Sequence, residues 1–62
     1  MGVLMAGQFE IYRDAKQEFR FRLKASNGEI VATGESYLTL AGVRKGIEAV
    51  QRAAADAKVV EP

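Results

Sequence analysis

Cysteine and histidine are both absent from this chain of 62 residues. Without cysteine, disulfide bonds and thiolate metal sites are excluded. Without histidine, the chain lacks the commonest zinc ligand and the usual general base of enzymes. We therefore expect no metal site, no cofactor and no catalytic residue, and we predict that the protein is not an enzyme.

An excess of charge of either sign is also absent, since nine Lys and Arg residues stand against eight Asp and Glu residues, a net charge of +1. That balance favours neither a nucleic-acid-binding tail nor a segment that lies on a membrane surface. No apolar run approaches the ~18 residues of a membrane-spanning helix. We expect a soluble cytoplasmic protein without a membrane partner.

The length predicts one domain with a small core, because a chain of about 60 residues buries only about 60% of its unfolded surface. Folds of this size usually gain stability from disulfides, a metal or a partner chain. With the first two excluded, self-association is the remaining device. We expect residues 1–7 to be a loose N-terminal segment and residues 8–62 to form the single domain.

Alternation of apolar and polar residues predicts three strands, at Gln8–Arg13, Glu18–Ala25 and Ile30–Gly34. Between the last two stands Asn27-Gly28, the favoured pair for a two-residue type I′ turn. Such a turn gives a pairing in which apolar residues share one face. It sets Ala25 opposite Ile30, Leu23 opposite Ala32, Phe21 opposite Gly34, Lys24 opposite Val31, Arg22 opposite Thr33, and Arg20 opposite Glu35.

The first hairpin needs a different connection. A four-residue loop would set Ile11 opposite Arg20, so that an apolar residue would share a face with a cation. Parity therefore requires an odd loop or a bulge between Asp14 and Glu18.

A helix follows, with Thr39 as its N-cap. Its apolar stripe follows spacings of three and four residues, and consists of Leu40, Val43, Ile47, Val50 and Ala54. Gly46 interrupts the helix at a cost of about 1 kcal/mol relative to alanine, which indicates close approach of the sheet or of a second chain. The final Lys58–Glu61 is β-branched at its centre and is a candidate fourth strand.

Four ordered segments resemble the YegP-like family, a group of small bacterial domains of unknown function. They are Gly7-Gln-Phe-Glu-Ile-Tyr-Arg-Asp14, Phe19-Arg-Phe-Arg-Leu-Lys-Ala-Ser-Asn-Gly-Glu29, Glu35-Ser-Tyr37 and Gly46-Ile-Glu-Ala-Val50. The chain departs from the family pattern at four positions. These are Gln17 (usually Gly), Gly34 (usually Ser), Ser36 (usually Gly) and Leu40 (usually Lys).

The resemblance implies an α+β fold with the element order β-β-β-α-β, an antiparallel sheet and one helix on one face. In this family two copies, from tandem repeats or from two subunits, form one continuous sheet and exchange their C-terminal strands. This chain has one copy, so the resemblance implies a homodimer. The exchanged strand would be Lys58, Val59, Val60 and Glu61. The family supplies no catalytic or binding residues to carry over.

One strand face is open to two interpretations. Arg20, Arg22 and Lys24 alternate along it, and with Tyr12 as a stacking aromatic they could bind phosphate or RNA. The alternative is a solvated surface that Glu10, Glu29 and Glu35 balance, which we favour because such surfaces are common.

Two further groups have sharper alternatives. Phe9, Ile11, Phe19, Phe21 and Leu23 could line a ligand pocket, but we expect them to form the core beneath the helix. Glu35, Ser36 and Tyr37 bring together a carboxylate and two hydroxyls without an activating base, so we expect a turn and a packed tyrosine. Our main hypothesis is a homodimeric interaction or structural module. The alternative is a weak nucleic-acid binder.

Overall fold

The computed structural model describes residues 7–62 and contains a three-stranded antiparallel sheet with one helix on one face. The order along the chain is β1 (Gln8–Arg13), β2 (Phe19–Lys24), β3 (Ile30–Thr33) and α1 (Leu40–Ala55). The sheet order is β1-β2-β3, so β2 is central. The loose segment predicted for residues 1–7 lies, apart from Gly7, outside the described residues.

The connection between β1 and β2 has the odd length that parity required. Ile11 pairs with Phe21 and Arg13 pairs with Phe19, so residues 14–18 form a five-residue connection. The Gln17 N–H donates to the Asp14 carbonyl, and Gln17 has a φ of 66°. Gln17 therefore occupies the left-handed region where glycine is preferred, which explains why glycine is usual at this position of the family pattern.

The second hairpin differs from the predicted type I′ turn. Only Gly28, with a φ of 89°, is left-handed there, and its N–H donates to the Ala25 carbonyl. The Ala25 N–H in turn donates to the Glu29 carbonyl. This pattern is typical of a type I turn followed by a left-handed glycine.

The altered turn shifts the pairing near the hairpin tip. Lys24 pairs with Ile30 rather than with Val31, so the predicted pairs of Ala25 with Ile30 and Lys24 with Val31 are wrong. The extra residue at Val31 forms a bulge that restores the predicted register. The pairs of Leu23 with Ala32 and of Arg22 with Thr33 are confirmed, and the Gly34 N–H donates to the Phe21 carbonyl as predicted.

The helix begins as the sequence predicts. The Thr39 hydroxyl accepts a hydrogen bond from the Gly42 N–H at 2.9 Å and caps the first turn. Of the predicted apolar stripe, Val43 is fully buried, whereas Leu40, Val50 and Ala54 remain exposed. The helix packs against β2, so only the middle of its stripe is covered.

The core within one copy of the chain is very small. Among residues 7–62 only Phe21 and Val43 are buried hydrophobic residues. The Phe21 ring meets the Phe9 ring edge-on at 5.8 Å and stacks with the Tyr37 ring at 6.5 Å. The predicted fourth strand at residues 58–61 has no strand structure here, and its residues are exposed.

Candidate binding face

The register of β1 with β2 brings the four predicted binding residues to one side of the sheet. Tyr12 pairs directly with Arg20, Glu10 pairs with Arg22, and Gln8 pairs with Lys24. Because side chains alternate along a strand, all of these point to the same side. The opposite side carries Phe9, Ile11 and Leu23 toward the helix. We call the surface formed by Tyr12, Arg20, Arg22 and Lys24 the basic face.

Glu10 lies among the cations of the basic face and sets one negative charge against three positive ones. Its carboxylate accepts a hydrogen bond from Arg22 Nε at 2.9 Å and lies 3.5 Å from Lys24 Nζ. Gln8 Nε2 donates to the other carboxylate oxygen at 2.9 Å. The bonds from Arg22 and Gln8, with the positive charges of Lys24 and Arg22, hold the pKa of Glu10 below its ordinary value, although desolvation opposes them. The other two predicted balancing residues, Glu29 and Glu35, form no ion pair within residues 7–62.

Arg22 also covers the Tyr12 ring, which was weighed as a stacking aromatic for a base. Its Cζ atom lies 4.9 Å from the centroid of the Tyr12 ring, a cation–π arrangement. A base could stack on that ring face only after displacing Arg22.

Arg20 is held by backbone rather than by the predicted partner Glu35. Its Nη2 donates to the Gly34 carbonyl at 3.0 Å, while its buried Nε has no partner. With Gly34 opposite Phe21, an unbroken register would place Ser36 opposite Phe19. Phe19 instead pairs with Tyr37, one residue later. Glu35 and Ser36 therefore share the position opposite Arg20, which removes the one-to-one pairing of Arg20 with Glu35.

Of the three residues weighed as a catalytic group, Glu35, Ser36 and Tyr37, the tyrosine has a structural role. Tyr37 exchanges two backbone hydrogen bonds with Phe19, at 2.7 and 2.8 Å, and its ring is half-buried. Ser36 and Glu35 are exposed. In residues 7–62 no three acidic side chains come together in a way that could hold a metal ion. No helix in the described part of the chain is long and apolar enough to cross a membrane.

A groove lies between β1 and α1, and three of the residues that were weighed as a pocket lining, Phe9, Ile11 and Leu23, are part of it. It has a volume of about 820 Å³. Its lining combines an apolar floor with polar side chains from the helix, and includes Phe9, Ile11, Leu23, Ile47, Arg44 and Gln51. Three of these residues were predicted to be core, yet Phe9, Ile11 and Leu23 are only half-buried. We call this feature the β1–α1 groove.

The later turns of α1 and the start of β1 border the same groove. Gln51 and Glu48, from the later turns of α1, line the β1–α1 groove together with Gly7 and Gln8. Beyond the helix, Val59 is 98% exposed and Val60 is 73% exposed. These two adjacent valines are apolar side chains that the described part of the chain leaves exposed.

Comparison with known proteins places the chain among uncharacterised relatives. A family model described as a domain of unknown function, DUF1508, matches residues 14–61. A UPF0339 protein of Treponema denticola is 60% identical over 57 residues, which are 92% of this chain and 98% of that protein. A second UPF0339 protein, from Stutzerimonas stutzeri, is 48% identical over 84% of this chain but only 47% of its own length.

A solved structure has the same fold. It is the NMR solution structure of a protein from Haloferax volcanii, which is 40% identical in sequence. The match has a TM-score of 0.83 and covers 95% of this chain and all of that one. The similar proteins are thus archaeal as well as bacterial, a wider range than the resemblance in sequence implied.

Proposed function

Since the chain belongs to the DUF1508 family of domains of unknown function, we propose that it is a homodimeric module with an interaction or structural role rather than an enzyme. In this proposal two cytoplasmic copies join their sheets into one and exchange the C-terminal segment Lys58–Glu61. The observation that carries the proposal is the mismatch between the small core of one copy and the apolar surface that the copy exposes.

That mismatch is large for a chain of this size. One copy buries only Phe21 and Val43 among its described hydrophobic residues. The large hydrophobic residues left exposed are Ile30, Val31, Leu38, Leu40, Val50, Val59 and Val60. Burial of a valine or leucine side chain stabilises a fold by about 1.5–3 kcal/mol. A second copy that covers several of these residues would supply the stability that one copy lacks.

Two features support the exchange of the C-terminal segment. The family model extends to residue 61, so this segment belongs to the domain and is not an appendage. The Stutzerimonas stutzeri relative is about twice as long as the matched region, which leaves space for a second unit of similar size in one polypeptide. Both observations fit a fold that is completed by two units.

The proposal of a non-enzymatic role is supported by side-chain chemistry. The chain has neither cysteine nor histidine, and among residues 7–62 no polar or charged residue is buried. A positioned base is what activates a serine or tyrosine hydroxyl for covalent catalysis. An interaction role needs only surface, which this chain has in excess.

Light scattering on the full chain and on a version that ends at Ala57 tests the homodimer. We expect the full chain to have twice its sequence mass at micromolar concentration, and the shortened chain to lose the dimer. A shortened version that ends at Glu61 is the matched control and should remain dimeric. A full chain that is monomeric at micromolar concentration would contradict the proposal.

A second candidate, weak binding of nucleic acid, is supported by the position of Tyr12, Arg20, Arg22 and Lys24 on one side of the sheet. Glu10 opposes it by pairing with two of the three cations. If the basic face binds single-stranded RNA, Glu10→Gln should raise the affinity, and added salt should lower it through counterion release. Absence of binding at low salt, or binding that persists after Arg20→Ala with Arg22→Ala, excludes this candidate.

A further inference from the structure

We infer that Asn27-Gly28 is a site of spontaneous modification, at which the chain converts the side-chain amide of Asn27 into a carboxylate at a rate that the hairpin turn limits. Asn27 is the only asparagine in the sequence, and a glycine follows it. Glycine has no side chain to hinder the attack of its own backbone nitrogen on the preceding amide. The substrate is therefore part of the chain itself, and water is the other reactant. The inference does not depend on the proposed homodimer.

The reaction balances with groups that the turn and the solvent supply. The Gly28 backbone nitrogen loses its proton to hydroxide and attacks Cγ of Asn27, so that a bond forms between this nitrogen and Cγ. The bond from Cγ to Nδ2 breaks, and Nδ2 takes up a proton from water and leaves as ammonia. Water then opens the succinimide ring. Attack at Cγ gives aspartate, and attack at the Asn27 backbone carbonyl gives isoaspartate, in which the backbone runs through the side chain.

The turn is open to the solvent that the reaction needs. Residues 26–30 are all exposed, and a Cβ built on Gly28 would meet no described atom within 4 Å. Hydroxide and water thus reach this nitrogen without displacing a packed side chain of the described residues. Exposed turns are also the segments that open locally at the lowest free energy.

The folded turn holds the two reacting atoms apart. The Gly28 N–H donates to the Ala25 carbonyl at 2.9 Å, and Asn27 Oδ1 accepts from the Glu29 N–H at 3.0 Å. In a type I turn the residue at the position of Asn27 has a ψ of about 0°, which rotates its Cβ away from the next backbone nitrogen. Ring closure needs Cβ and that nitrogen on the same side of the Cα–C bond. The hydrogen bond from Gly28 must therefore break before the ring can form.

The two products differ in their effect on the hairpin. Aspartate keeps the turn, because Asp-Gly is favoured in hairpin turns as Asn-Gly is. Isoaspartate lengthens the backbone by one carbon atom, which displaces the Gly28 N–H from the Ala25 carbonyl. Either product adds a negative charge and so removes the net charge of +1. Lys24 of the basic face and Gly28 line the same small cavity, so the new charge makes that end of the basic face less attractive to anions.

Mass spectrometry of peptides from the full chain measures the conversion. The chain is incubated in a mildly alkaline buffer in its folded form and, in parallel, unfolded in guanidinium chloride. Circular dichroism verifies both states at the start. The Asn27→Gln variant is the matched control, because its longer side chain closes a ring far less readily. An isoaspartyl methyltransferase, which methylates the α-carboxyl group that isoaspartate exposes, distinguishes the two products.

We expect conversion at residue 27 in both states, roughly tenfold slower in the folded chain, because the hydrogen bonds of the turn must open first. The Asn27→Gln variant should show no conversion at this position. Equal rates in the folded and the unfolded chain would overturn the limit that the turn sets. Absence of conversion in the unfolded chain, or equal conversion of the control, would overturn the site itself.

Discussion

Tyr37 lies directly over the backbone of Gly46, and a Cβ built on Gly46 would lie 2.6 Å from Cζ of the Tyr37 ring. The tyrosine is anchored by its two backbone hydrogen bonds with Phe19, and its ring stacks with the Phe21 ring. The glycine inside the helix is therefore a packing requirement: it lets α1 approach the residue that continues the sheet beside β2. The close approach to Gly46 that the sequence indicated is present, and the residue that lies against Gly46 is Tyr37.

We predict that Gly46→Ala destabilises the protein even though alanine is the better helix former. Overpacking costs about 1–3 kcal/mol, and the gain in helix propensity is about 1 kcal/mol. The expected net loss of unfolding free energy is up to about 2 kcal/mol, measured by urea denaturation. In a Tyr37→Ala background the ring is gone, and the same substitution should become stabilising. A gain in stability in both backgrounds would contradict a constraint by Tyr37.

We predict that Gln17→Gly stabilises the first hairpin. Gln17 has a φ of 66°, and a left-handed backbone costs a non-glycine residue about 1–2 kcal/mol. Part of that gain is offset because glycine makes the unfolded chain more flexible, which lowers the free energy of unfolding by about 0.4–1 kcal/mol. Urea denaturation should show a net gain of about 0.5–1 kcal/mol. Lys16→Gly, in the same turn without a positive φ, is the matched control and should lower stability.

We predict a loss of stability in acid that depends on Glu10. Its pKa is lowered in the folded protein, first by the hydrogen bond from Arg22. The folded state therefore releases this proton more readily than the unfolded state. The contribution of the ionised Glu10 carboxylate to the stability of the fold is complete above its ordinary pKa of 4.5. That contribution is lost as pH falls through the lower pKa of the folded state.

The measurement is the urea midpoint of the full chain and of Glu10→Gln, from pH 6 downward. The glutamine variant should show a smaller decline, because it cannot be protonated at this position. Glu29→Gln, which changes an exposed carboxyl that forms no ion pair among residues 7–62, is the control. Equal declines in all three proteins would show that Glu10 does not contribute to the acid sensitivity.

We predict opposite outcomes for two adjacent substitutions in the exchanged segment. If residues 58–61 form a strand in the shared sheet of the proposed homodimer, either Val59→Asp or Val60→Asp places a carboxylate on the side of the sheet that faces the helices. The loss of one buried valine costs about 3 kcal/mol at most. Because both copies carry the substitution, the dimer loses about 6 kcal/mol at most, which corresponds to a dissociation constant up to roughly ten-thousandfold higher. The other substitution points to the open side and should leave the dissociation constant nearly unchanged. Equal effects of both, measured by sedimentation, would argue against a strand.

Local patterns predicted the elements well because their causes are local. Alternation in Phe19–Lys24 identifies a strand with one apolar face, and Thr39 supplies the cap that starts α1. Parity also required the odd connection between β1 and β2. The turn at Asn27-Gly28 was predicted less well, because a type I turn with a left-handed glycine accommodates the same two residues. A bulge at Val31 then restores the same downstream pairing.

The basic face shows the same limit of prediction from local sequence patterns. Alternation and the parity of the first hairpin sufficed to put Tyr12, Arg20, Arg22 and Lys24 on one side. The sequence could not show that Arg22 covers the Tyr12 ring, or that Glu29 and Glu35 stay apart from the cations. Those outcomes depend on distances between side chains from different strands, which composition does not specify.

By itself, the sequence determined the element order, the apolar and basic faces of the sheet, and the small hydrophobic core of a chain that has no cysteine to form disulfide bonds. Periodicity and turn chemistry act over a few residues, so these features can be recognised without a fold. Only the tertiary structure decided that Tyr37 occupies the space above Gly46, that Glu10 pairs with Arg22 and Lys24 on the basic face, and that a groove lies between β1 and α1. Each of these depends on where distant segments meet, and that is settled by packing across the sheet rather than by any local pattern.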